Sequence, residues 1–241
     1  MALPRIDLPL YEMTIPSTGK TVNYRPFLVK EEKILLMALE GGIEEEIHKA
    51  TLQIIQNCVD DVDVDVLPSF DVEWIFLNIR RRSIGETTKL RFRHTEGKNR
   101  KGDECDHVQE VVVNLEEVEV VGDIKPPIIM LTENIGMKMR YPSMKETLAL
   151  ELEHKGKLDR VMGTVVQCIE MIFDGDDMFP AKDSTKEELT QFLENLNAEQ
   201  FGKLQDFFTN MPKLKKVINY KCDKCGEITK YPVQGLSSFF V

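Results

Sequence analysis

Ile218-Asn-Tyr-Lys-Cys222-Asp-Lys-Cys225-Gly226-Glu-Ile228-Thr-Lys-Tyr231 sets the reading of this chain. Alternating apolar and polar residues flank the two cysteines, so the pair belongs at the tip of an antiparallel hairpin. Two thiolates at this spacing can face a single ion, and Gly226 lets the turn close. A redox pair would instead open a helix after a strand, where the helix dipole lowers a thiol pKa; here strands stand on both sides. Structural zinc needs four donors, and this turn has two.

An earlier hairpin offers the others. Lys89-Leu-Arg-Phe-Arg-His94 alternates, a polar loop rich in Gly and Lys follows, and Val108 to Val113 alternates again. In this hairpin His94 takes the place of Cys222 and Cys105 that of Cys225, with a longer loop between them. The expectation is a structural zinc site of His94, Cys105, Cys222 and Cys225, with His107 as a substitute donor. Metal-free thiols and a redox pair are the competing readings of the same residues. Cys58 and Cys168 fall on apolar helix faces and read as packing residues.

Working outward, the matched hairpins suggest a longer repeat. The stretch from Leu8 to Lys20 alternates and breaks at Pro16 and Gly19, as an extended arm or hairpin ending near Tyr24-Arg25-Pro26 does. Apolar periodicity then predicts helices over Val29 to Glu40 and Glu44 to Cys58. The acidic run Asp60 to Val66 connects them to a third helix, Ser69 to Arg82, with the first hairpin running on to Val121. Pro126-Pro127 is the best boundary, because neither residue donates to a ladder or continues a helix. Beyond it come a strand over Ile135 to Tyr141, a helix capped by Ser143, and a second helix from Leu158 to Phe173. An acidic loop over Asp174 to Asp177, helices over Ser184 to Leu196 and Asn197 to Asn210, and the Cys-x-x-Cys hairpin complete the chain. The expected architecture is α+β, in two degenerate tandem repeats that divide the chain into residues 1–125 and 126–241. Each repeat carries helices plus an antiparallel hairpin with a zinc-ribbon-like knuckle.

Composition narrows the function classes. At 241 residues with 42% hydrophobic and 30% charged residues, the chain can bury a core without disulfides. Lys plus Arg number 31 against 41 Asp plus Glu, a formal charge of -10, so general attraction to nucleic acid is not expected. No apolar run reaches the roughly 18 residues of a membrane span, and the N-terminus lacks the order of a signal peptide. The chain is therefore expected to be a soluble intracellular product, and its five cysteines, an odd number, make a disulfide framework unexpected in a reducing compartment.

No catalytic set stands out. Pro16-Ser-Thr-Gly-Lys20 lacks the two spaced glycines of a phosphate loop, and neither Gly-x-Ser-x-Gly nor His-Glu-x-x-His occurs, so the chain is not expected to be an enzyme. The alternating Asp60 to Asp65 run lacks the Gly and distal Glu of a calcium loop and reads as a solvated connector. Arg80-Arg81-Arg82 with Lys89, Arg91, Arg93, Lys98, Arg100 and Lys101 makes a local basic region. It leaves a zinc-ribbon nucleic-acid-binding regulator as the alternative function. In the closing Leu236-Ser-Ser-Phe239-Phe240-Val241, the aromatics Phe239 and Phe240 either dock internally or contact a partner.

The run from Leu8 to Lys20, then Tyr24-Arg-Pro-Phe-Leu-Val-Lys-Glu-Glu-Lys33, resembles the baseplate protein family of T-even-like contractile-tailed phages. That family includes the baseplate hub subunit and the hub assembly catalyst. Met139-Arg-Tyr-Pro-Ser143 and the ending from Tyr220-Lys-Cys-Asp-Lys-Cys-Gly226 to Phe239-Phe240 extend the resemblance over nearly the whole chain. It implies a non-enzymatic role in the central hub of a phage baseplate, as an incorporated subunit or an assembly factor. Hub proteins would be the partners, in the virion or in the infected host cytoplasm.

Overall fold

The computed structural model describes residues 7–95, 105–152, 156–235 and 238. Strands β1 (Tyr11–Thr14) and β2 (Thr21–Tyr24) form an antiparallel hairpin. Its alternation turns Met13, Ile15, Val22 and Tyr24 inward, and Trp74 donates its indole N–H to the Thr14 carbonyl at 3.1 Å. The expected N-terminal arm is thus packed from Tyr11 onward. Helices α1 (Val29–Gly41) and α2 (Glu44–Cys58) are separated by Gly42 at φ 66, a left-handed cap that glycine adopts without strain. Helix α3 (Ser69–Ser83) leads to the hairpin of β3 (Thr87–His94) and β4 (His107–Asn114), paired from Thr87 with Asn114 to His94 with His107. A 3-10 turn over Leu115–Glu117, capped by the Asn114 side chain, ends that ladder before β5 (Glu119–Val121).

The second half opens with β6 (Ile128–Met130), β7 (Ile135–Met139), α4 (Met144–Leu152) and α5 (Lys157–Cys168). Strands β8 (Ile169–Asp174) and β9 (Asp177–Pro180) follow, then α6 (Lys186–Glu194), α7 (Ala198–Thr209), β10 (Lys213–Lys221) and β11 (Ile228–Gln234). The sequence predicts one helix from Leu158 to Phe173, whereas α5 ends at Cys168 and Ile169–Asp174 is a strand. Ile169-Glu-Met-Ile-Phe173 also has strand periodicity, and pairing with β7 and β9 on its two sides settles the choice. The acidic loop is the tight turn of the β8–β9 hairpin, with Gly175 at φ 59. The sequence also extends the β3–β4 hairpin to Val121, but β5 pairs with β10. Both halves therefore run hairpin, helix, helix and close on a hairpin, while the second inserts β8–β9 and has two helices where the first has α3.

The chain divides into two compact units, cut differently from residues 1–125 and 126–241. The first comprises residues up to Val62, Glu73–Val121, and the chain from Lys213 on. The second comprises Asp63–Val72 and Gly122–Pro212. The chain leaves the first unit close to the expected Pro126-Pro127 boundary, but its C-terminal hairpin returns. Within the first unit, β10 pairs with β11 on one side and β5 on the other, with Lys213 opposite Val121. Leu77, Leu90, Phe92, Leu115, Leu214 and Tyr220 form much of that unit's core, and Phe92 stacks on Tyr220 at 5.3 Å. Within the second unit, Gly122 lies at φ 131, and a Cβ there would sit 2.9 Å from Pro212 Cα, so only glycine fits.

Each unit holds the same arginine clamp. Arg25 donates from its guanidinium to Glu31 at 3.0 Å and to the Asn57 carbonyl at 2.9 Å, and its backbone N–H donates to Cys58 O at 2.9 Å. Arg140 donates to Glu146 at 2.5 Å and to the Gln167 carbonyl at 2.8 Å, and its backbone N–H donates to Cys168 O at 2.8 Å. The second oxygen of each carboxylate accepts an N–H at its helix start, from Leu28 at 2.8 Å and from Ser143 at 2.9 Å. Each clamp thus ties the start of a helix pair to its end, beside the buried thiols of Cys58 and Cys168.

Candidate metal centre

Four donor residues converge at the tips of two hairpins in the first unit. His94 ends β3, Cys105 precedes β4, and Cys222 and Cys225 lie on the turn between β10 and β11. One donor atom from each lies within 4.8 Å of all the others. Cys105 Sγ is 3.8 Å from Cys222 Sγ, and Cys225 Sγ is 3.6 Å from His94 Nδ1. His94, Cys105 and Cys222 are buried and Cys225 half-buried. His107, the substitute donor, stands opposite His94 in the β3–β4 ladder and is not in the group.

The turn is built to present sulfur. Cys222 N–H donates to Glu227 O and Gly226 N–H to Cys222 O, each at 2.8 Å, with Gly226 at φ 81. Burial raises the Cys222 thiol pKa, but backbone N–H groups of Cys225 and Lys224, with the thiols of Cys225 and Cys105, outweigh it and hold the value below normal. Cys105 behaves oppositely: burial, then its hydrogen bonds with the Cys225 and Cys222 thiols, push it up to about 11. Three crowded thiols of this kind favour a cation among them, because an ion lets all three sulfurs carry charge.

The distances fit zinc. With Zn–S near 2.3 Å and Zn–N near 2.0–2.1 Å, a tetrahedral shell puts two sulfurs about 3.8 Å apart and sulfur and nitrogen about 3.6 Å apart. The two close pairs in the cluster match these edges. His94 Nε2 is buried without a hydrogen-bond partner among the described residues, so the ring is placed by packing and by its Nδ1 side, edge-on to Tyr220 at 6.5 Å. Gln109 of β4, which the sequence does not single out, binds both residues flanking Cys222. Its Nε2 donates to Lys221 O at 3.1 Å, and its Oε1 accepts from Asp223 N at 2.9 Å.

The other expected site residues fall elsewhere. Phe239 and Phe240 lie outside the described residues, as do Lys98, Arg100 and Lys101 of the basic stretch. Arg91 and Arg93 form ion pairs with Glu110 and Asp106, and Arg81 and Arg82 with Glu116 and Glu86, so much of that positive charge is locally neutralised.

A cluster of four potential metal donors tells little about a protein's role, whereas the family match covers nearly the whole chain. The family described as T4 bacteriophage base plate protein matches residues 8–241. The chain belongs to this family. It is 21% identical over 230 residues to the baseplate hub assembly protein gp26 of Enterobacteria phage T4, covering 95% of this chain and 97% of that protein. No solved structure shows a significant match. Among the described residues, no helix is long and apolar enough to cross a membrane.

Proposed function

We propose that this chain is a phage baseplate hub protein, an incorporated subunit or an assembly factor, acting through protein–protein contacts and not bond chemistry. The observation that carries this reading is the family match over residues 8–241, with a hub assembly protein aligned along almost its full length. Surface composition supports it. On α1, Val29 and Leu36 stand exposed seven residues apart, and Leu39 and Met37 are exposed beside them. An exposed apolar stripe of this kind is a feature of interaction surfaces. The partners are other baseplate hub proteins, and the place of action is the tail baseplate or the infected cytoplasm where it is built.

The four-residue cluster serves this function as a structural zinc site. Its ligands would be His94, Cys105, Cys222 and Cys225, and the ion would supply cross-linking, with no open position for substrate. Zinc measured in protein purified without added metal tests the site, with one equivalent per chain expected. Affinity capture of the tagged chain from infected cells tests the function, with baseplate proteins expected among the partners.

A further inference from the structure

We propose that Gln109 is the positioning residue of the metal centre, the side chain by which the β3–β4 hairpin sets the cysteine turn of the other hairpin in place for the ion. This inference rests on the zinc reading of the cluster. Hairpin β3–β4 and the β11-β10-β5 sheet share no ladder hydrogen bonds, yet each supplies two of the four donors. A tetrahedral shell therefore requires that the two tips be held in register by something other than strand pairing. The Gln109 amide does this: it donates to the carbonyl before Cys222 and accepts from the N–H after it, as a neighbouring strand's peptide group would.

Position along the chain adds to the case. Gln109 lies two residues from His107, which faces His94, and directly opposite Phe92, whose ring stacks on Tyr220. One side chain thus links the backbone around Cys222 to the strand pair that ends in His94 and begins after Cys105. Cys222 itself is fixed on its other side by its N–H bond to Glu227 O. Removing the Gln109 amide takes away that polar tie to β4 and leaves the turn's place beside Cys105 to packing such as the Phe92–Tyr220 stack.

The test uses the full chain with zinc and cobalt as probes. Gln109→Leu removes both hydrogen bonds at similar volume, and Gln109→Glu keeps the acceptor for Asp223 N–H while setting an oxygen against Lys221 O. Zinc affinity is read by competition with a chelator, and coordination by the visible absorption of the cobalt form. The expected result is a loss of zinc affinity of about 10- to 100-fold in Gln109→Leu, the range typical of outer-shell partners, with a smaller loss in Gln109→Glu and an altered cobalt spectrum in both. If Gln109→Leu fails to fold, Gln109→Glu carries the same comparison. Unchanged affinity and spectrum in the folded variants overturn the positioning role while leaving the zinc site standing. Absence of zinc and cobalt binding in the unaltered chain overturns the zinc reading and this inference together.

Discussion

Glu31 and Glu146 show what a single carboxylate does in this protein. Glu31 accepts from Arg25 with one oxygen and from the helix-start N–H of Leu28 with the other, while Glu146 accepts from Arg140 with both oxygens and from the Ser143 N–H with one of them. The Arg140 hydrogen bond holds the Glu146 carboxyl down at about 2, against an ordinary value of 4.5, with burial opposing and Ser143 assisting. At Glu31 burial raises the pKa, and the bonds from Arg25 and Leu28 more than reverse it. A depressed folded-state pKa contributes stability that is present above the unfolded value and lost as pH falls through the folded one. Melting temperature should therefore drop as pH falls from 4.5 toward 2, and Glu146→Gln should be less stable near neutrality yet converge with the unaltered chain at the acid end. A constant gap between the two melting curves at every pH would refute the linkage. Arg140→Met should cost about 1.5–3 kcal/mol by chemical denaturation, the worth of hydrogen bonds to a charged group, and Arg25→Met more, because Glu31 is fully buried.

At the scale of elements, the two ribbon tips are joined by side chains and not by a shared ladder, so the stability of the C-terminal hairpin should depend on metal. Cys222→Ser, or exhaustive chelation, should lower the melting temperature and raise amide exchange in β10 and β11. The loss is about 4 kcal/mol where free zinc exceeds its dissociation constant 1,000-fold. Equal exchange rates in the presence and absence of chelator would refute a structural ion. These hairpins were legible in the sequence because alternation, the Cys-x-x-Cys spacing and Gly226 are local signals. Ser143 was legible as a helix cap, and the structure adds Glu146 to it as a reciprocal pair of hydrogen bonds. Strand β8 was hidden because Val161, Val165, Cys168, Ile169 and Ile172 keep helical spacing across the α5–β8 junction. The pairing of β5 with β10 joins residues more than ninety positions apart, which no local pattern encodes. The arginine clamps were readable in principle, since Arg25 and Glu31 stand six apart, as do Arg140 and Glu146, with Pro26 directly after Arg25 and Pro142 two residues after Arg140.

At the scale of the whole molecule, the outward face of α1 should serve recognition and not folding. Leu36→Lys with Met37→Lys is expected to shift the melting temperature by no more than about 2–4 °C, since exposed substitutions seldom change stability by more than about 0.5 kcal/mol each. The same double variant should lose capture of partners if the stripe is the contact. This family member should act on other baseplate hub proteins, and affinity capture of the tagged chain from phage-infected cells tests that, with the bound material identified by mass spectrometry and nucleic-acid staining. Baseplate hub proteins are the expected partners, retained as salt is raised. Recovery of nucleic acid in place of tail proteins, lost steeply with rising salt as counterion release requires, would contradict that role.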